Sequence, residues 1–155
     1  MSQARILVVE DDHGLREAIV DTLLLGGYDC QEADSGEAAL LRLNDTAVDM
    51  VISDIQMGGM DGLTLLATIR QQYPQIPVLL MTAYANIDGA VRAMREGAID
   101  YLAKPFELTE LEARVKALEE QNASLKAEVA SLRERLRRFE HLDDHLSRTG
   151  RLLPA

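Results

Sequence analysis

Apolar residues in the first hundred positions come in two rhythms. Residues 5–10 (Arg-Ile-Leu-Val-Val-Glu), 48–54 (Val-Asp-Met-Val-Ile-Ser-Asp) and 77–82 (Pro-Val-Leu-Leu-Met-Thr) are short, nearly continuous apolar runs. Runs of this length, rich in β-branched residues, read as strands covered on both faces. Residues 28–33 and 99–103 read as two weaker strands. Between them the apolar residues recur every three or four positions. Leu15, Ile19, Leu23 and Leu24 mark a helix over 14–25 that Gly26-Gly27 closes. A second helix runs to Leu43, with Asp34 or Ser35 as its cap. A third covers 63–72 and stops at Tyr73-Pro74, and a fourth covers 86–96 and ends at Gly97. Five alternations of strand and helix predict right-handed crossovers and a five-stranded parallel sheet, doubly wound, with helices on both faces.

The rhythm changes at Leu108. Leu108, Val115, Asn122, Val129 and Leu136 fall at position a of a heptad, and Leu111, Leu118, Leu125, Leu132 and Phe139 at d. Leucine at d, with valines flanking one asparagine at a, favours a parallel two-stranded coil. Arg114 with Glu119, Glu128 with Arg133 and Arg135 with Glu140 are complementary g–e′ pairs, while Glu107 with Glu112 opposes. The predicted organisation is an α/β domain over 1–118, a coiled-coil helix over 115–147 continuous with the domain's last helix, and a disordered tail over 148–155. The dimer seam is assigned to Val115, Leu118, Asn122, Leu125, Val129, Leu132 and Leu136.

Charge sharpens this division. The net charge of −10 sits almost entirely in residues 1–106, with 16 acids against 7 bases. Such a domain is a poor nucleic-acid binder. No run of apolar residues reaches membrane-spanning length, and the first residues lack the features of a secretory signal. The single cysteine, Cys30, cannot form an internal disulfide and fits a reducing, cytoplasmic setting. His141 and His145 lie four apart, but one helix end offers too few ligands for a metal.

The candidate chemistry lies at the ends of the predicted strands. Asp11 and Asp12 follow the first, Asp54 ends the third, Thr82 the fourth, and Lys104 follows the fifth. Open α/β sheets bind ligands at this carboxyl edge. Converging carboxylates repel by roughly 4 kcal/mol per unit pair about 4 Å apart at an effective dielectric near 20. They therefore favour a hard, oxygen-ligated cation, Mg²⁺. Beside such an ion Asp54 is a carboxylate nucleophile of the aspartyl-phosphate kind. Lys104 and Thr82 are suited to phosphoryl oxygens.

Taken together, Val9-Glu10-Asp11-Asp12, Ser53-Asp54-Ile55-Gln56-Met57, Met60-Asp61-Gly62, Met81-Thr82-Ala83-Tyr84 and Tyr101-Leu102-Ala103-Lys104-Pro105-Phe106 resemble the receiver domain of two-component response regulators. The runs at 80–85 and 97–101 are most similar to its NtrC-like, sigma-54 activator branch, particularly the flagellar regulators. The resemblance implies a flavodoxin-like fold in which Asp54 accepts phosphate from a sensor histidine kinase. It implies Mg²⁺ held by Asp11 or Asp12, Asp54 and the backbone carbonyl of Gln56. It further implies a switch pair, Thr82 and Tyr101, a phosphoryl contact from Lys104, a cis Lys104–Pro105 bond, and a signalling and homodimer face on the fourth helix, fifth strand and last helix. Gln56 and Tyr84 stand where the family tunes phosphoryl lifetime. Gly58 stands where the family usually has proline, which puts the rigidity of that loop in question.

The expected function is a Mg²⁺-dependent phosphate-accepting receiver that signals through its dimer face and coil to a transcriptional output. It would not be an enzyme beyond its own phosphoryl transfer and slow autodephosphorylation. The alternatives are a stand-alone phosphate sink or dimerisation module, and an aspartate-nucleophile phosphatase. The phosphatase reading wants a second aspartate where Gln56 stands.

Overall fold

The computed structural model describes residues 4–83 and 87–149, apart from the side chains of residue 87 and of residues 143–149. Tyr84, most of the expected tail and the side chain of His145 fall outside the described residues. The chain divides into two units, residues 1–114 and 115–155.

In the first unit the order is β1 (Arg5–Val9), α1 (His13–Leu25), β2 (Asp29–Ala33), α2 (Gly36–Asp45), β3 (Met50–Asp54), α3 (Gly62–Gln72), β4 (Val78–Thr82), α4 (Ile87–Arg95), β5 (Asp100–Ala103) and the start of α5 (Leu108–Thr149). The strands form one parallel sheet in the order β2-β1-β3-β4-β5. Every residue of β3 and β4 is buried, including Ser53, Asp54 and Thr82 at their ends, while most residues of the edge strands β2 and β5 are partly exposed. Leu7, Val9, Val51, Leu65, Leu66, Ile69, Val78 and Leu80 belong to the core. The chain steps from β1 outward to β2 and returns past it to β3. The order therefore reverses between β1 and β3, the place where an open sheet leaves a crevice at its carboxyl edge.

Helix caps match the residue types that precede them. Ser35 accepts the N–H of Ala38, and Asp61 accepts that of Thr64. Gly27 takes φ +93° after α1, a conformation that L side chains avoid.

α5 has neither glycine nor proline along its length and is one helix from Leu108 to Thr149. In its second-unit part the apolar heptad residues stand open. Leu125, Val129, Leu132 and Leu136 are 43–56% exposed and Phe139 is 67% exposed. Val115 and Leu118, assigned above to the dimer seam, are instead buried in the single chain, so the open part of the stripe begins beyond them. Arg114, expected to pair across a dimer with Glu119, bonds to Asp100 Oδ1 and the Tyr101 carbonyl, both at 3.1 Å, and pairs with Glu110. Among the described residues, no helix is long and apolar enough to cross a membrane.

Candidate functional site

The crevice between β1 and β3 collects the acids. Asp54, the last residue of β3, is 4% exposed, and its carboxylate is held from two sides. Oδ1 accepts the backbone N–H of Gln56 at 3.3 Å, and Oδ2 lies 3.3 Å from Lys104 Nζ. The β4 carbonyl of Met81 takes the N–H of Ile55 at 2.9 Å, continuing the ladder past Asp54. The chain then returns across the backbone of Asp54. Gly62 opens α3 so close to β3 that a Cβ there would stand 2.3 Å from the Asp54 carbonyl oxygen. Only glycine fits this approach.

Lys104 reaches the same point from the far side of the sheet. Its peptide to Pro105 is cis, and its ammonium also bonds to Glu10 Oε1 at 3.0 Å. Burial alone would lower the lysine pKa, but the bond to Glu10 and the charge of Asp54 outweigh it and hold the pKa above its usual value. Glu10 is the residue that the sequence analysis missed. It lies just past β1, its N–H still donates to Ala33 in β2, and it is 1% exposed. Burial pushes its pKa up to about 7, reinforced by the neighbouring Asp54 charge and opposed by the lysine. Among the described residues, its buried Oε2 has no hydrogen-bond partner.

Glu10, Asp11 and Asp54 each offer a carboxylate oxygen, all within 4.8 Å of one another. Asp12, expected to share in the cluster, instead caps α1, accepting the N–H of Leu15 at 3.1 Å. The geometric trio is thus shifted one residue along the chain from the pair that the sequence suggested. Three oxygen donors, one of them buried and unsatisfied, suit a small divalent cation such as Mg²⁺.

Thr82, ending β4, is 1% exposed, and its hydroxyl donates to Gln56 Oε1 at 2.9 Å. Tyr101 in β5 is partly buried against the core, and its carbonyl is one of the oxygens that Arg114 holds. An apolar recess of about 410 Å³, lined by Leu15, Ala83, Lys104, Pro105 and Phe106, opens beside Lys104. The structure thus brings together Asp54, Asp11, Lys104, Gln56 and Thr82 at one rim and leaves Asp12 outside it.

The response regulator receiver domain family matches residues 6–116, and the chain belongs to that family: it carries the receiver of a two-component response regulator. A second family description, VPA1267-like, matches residues 92–152 and overlaps the first. Over 104 residues the chain is 61% identical to the response regulator protein FleR of Pseudomonas aeruginosa, covering 67% of this chain and 22% of that protein. It is 40% identical over 116 residues to the DNA-binding transcriptional regulator NtrC of Salmonella typhimurium, covering 75% of this chain and 25% of that protein. The chain therefore spans about a quarter or less of the length of these relatives. Among solved structures, NtrX from Brucella abortus superposes with a TM-score of 0.77 at 36% identity, over 87% of this chain and 30% of that one. A CheY-like receiver domain protein from Methanospirillum hungatei superposes at 0.76 over 79% of this chain and 98% of that one, with 24% identity, which speaks to the fold alone.

Proposed function

We propose that Asp54 is the phosphoacceptor of this receiver, taking a phosphoryl group from a sensor histidine kinase. The observation that carries the reading is Lys104 Nζ set between Glu10 (3.0 Å) and Asp54 (3.3 Å), beside the unsatisfied Glu10 Oε2. In the reaction an Asp54 carboxylate oxygen bonds to phosphorus. The donor's phosphorus–nitrogen bond breaks, and its electron pair stays with the donor imidazole. The Gln56 N–H orients the nucleophile through Oδ1. Glu10, Asp11, Asp54 and the Gln56 carbonyl would hold Mg²⁺, with Asp12 reserved for the helix cap. The ion supplies charge neutralisation for the incoming phosphoryl oxygens. Once the acids have that counter-charge, Lys104 is available to a phosphoryl oxygen. The Thr82 hydroxyl leaves Gln56 for another, and Tyr101 follows it inward. The apolar recess beside Lys104 offers the donor protein a surface to rest on.

The output side of the reading rests on the open stripe of α5 and on the relatives' names. Two copies would pair in parallel from Asn122 through Leu125, Val129, Leu132 and Leu136 to Phe139, together with the α4–β5–α5 face. The module would pass its state to a transcriptional output in the cytoplasm, as a signalling domain rather than a turnover enzyme. Its acidity leaves nucleic-acid contact to another part of the regulator.

Mass spectrometry after acetyl phosphate and Mg²⁺ tests the core of this. The wild-type chain should gain one phosphoryl group and Asp54→Asn none. Equal gain by both would move the acceptor elsewhere.

A further inference from the structure

The loop between Asp54 and α3 carries the groups that finish the site, yet its middle is glycine-rich. Among the described residues, a Cβ on Gly58 would face open space, with nothing within 4 Å of it. Met57 and Met60 anchor the loop by side chains packed against the core. Its backbone has another anchor. Among the described residues, the one acceptor met by a backbone N–H of residues 57–60 is Glu37 Oε1, which takes the N–H of Met60 at 2.9 Å.

Glu37 arrives from a different element, in the first turn of α2, a helix started by Ser35. Beside that hydrogen bond, the fit between the turn and the loop is close at two further points. Gly59 has φ +77°, and a Cβ on it would stand 3.2 Å from Glu37 Oε1. A Cβ on Gly36 would stand 2.8 Å from the Met60 sulfur. Glycines at 36 and 59 thus let the two backbones approach until the Glu37 carboxylate can reach the amide. We infer that Glu37 is a positioning residue for phosphoryl transfer: it clasps the β3–α3 loop and supplies the restraint that Gly58 does not.

This inference rests on the proposed role of Asp54 and deepens it. A loop left free between Ile55 and Asp61 must be ordered each time the Gln56 carbonyl and N–H take up their places. That ordering cost falls on cation binding and on phosphoryl transfer rather than on the fold. A proline at 58 would restrict the same backbone by a different route. The hydrogen bond needs an acceptor oxygen, not a negative charge, so glutamine can replace glutamate at 37 and alanine cannot.

The test measures Asp54 labelling by acetyl phosphate as a function of Mg²⁺ concentration in wild type, Glu37→Gln, Glu37→Ala, Gly58→Pro and Glu37→Ala/Gly58→Pro. Glu37→Ala should raise the Mg²⁺ concentration for half-maximal labelling about fivefold, the worth of one hydrogen bond. Glu37→Gln and Gly58→Pro should stay within about twofold of wild type, and the double variant should return to that range. Wild-type behaviour of Glu37→Ala would overturn the inference. So would equal losses in Glu37→Ala and Glu37→Gln, which would assign Glu37 to the charge of the helix start. Failure of Gly58→Pro to rescue would overturn it as well. Absence of labelling in the wild type would instead overturn the assignment of Asp54.

Discussion

The sheet rim and the outer part of α5 are both incomplete, in opposite ways. At the rim, carboxylate oxygens have been taken out of water: Asp54 is 4% exposed, Glu10 is 1% exposed, and one Glu10 oxygen has no hydrogen-bond partner among the described residues. On α5, hydrocarbon has been left in water, from Leu125 to Phe139. A buried unsatisfied acceptor calls for a cation or a proton. An exposed apolar stripe of this period calls for a like surface. The first need can be met by something the size of an ion, whereas the second takes another protein surface. A substitution should therefore act first on the readout of its own region.

The largest effect should come from tightening the rim. Gly62→Ala puts a methyl group into the Asp54 carbonyl, and overpacking of this kind should cost about 3 kcal/mol in a urea melt. It should also displace the acceptor enough to slow labelling.

Next comes pH. The folded pKa of Glu10 is about 7 against 4.5 for the ordinary carboxyl, so between those values the folded chain holds a proton that the unfolded chain has lost. Without Mg²⁺, raising the pH from 5 to 7 should weaken the fold by on the order of 2 kcal/mol through this group. Glu10→Gln should flatten that dependence, and saturating Mg²⁺ should stabilise the wild type more at pH 7.5 than at pH 5.5. A wild-type profile unaffected by Glu10→Gln would remove the raised pKa assigned to Glu10.

A smaller effect should appear on α5. Leu132→Asp should weaken self-association about tenfold or more by sedimentation equilibrium, since a charge in a dimer layer is desolvated. It should leave Asp54 labelling unchanged. An equal loss of labelling would show that the rim depends on the coil for its own chemistry. As the smallest effect, Leu41→Gln, at a 68% exposed position on α2, should shift stability by no more than about 0.5 kcal/mol.

The sheet was legible because β3 and β4 are covered on both faces, and such strands are written as unbroken apolar runs. Asp54, Thr82 and Lys104 were legible for the same reason: each ends or follows a run, and a parallel sheet brings those ends to one edge. Glu10 was not. It stood inside the apolar run as read, and adjacency favoured the pair Asp11-Asp12. The structure ends β1 at Val9, turns Glu10 into the crevice and gives Asp12 to α1. A signal for this existed, since an aspartate one residue before a helical pattern is a capping position. Along α5 the heptad shows an apolar stripe but not what covers it. Leu111 and Val115 have the same spacing as Leu125 and Val129, yet the first two are fully buried in the single chain and the others are open. Arg114 shows the same ambiguity in charge: its sequence position suited a partner's glutamate, and its side chain went to Asp100.

A hydroxyl has one hydrogen to give, and in the resting chain Thr82 gives it to the Gln56 amide oxygen, 2.9 Å away. Under the proposed role of Asp54, a phosphoryl oxygen there would compete with Gln56 for that hydrogen. Residue 56 would then set how readily the threonine turns: an acceptor there would hold it back, and a hydrocarbon would release it.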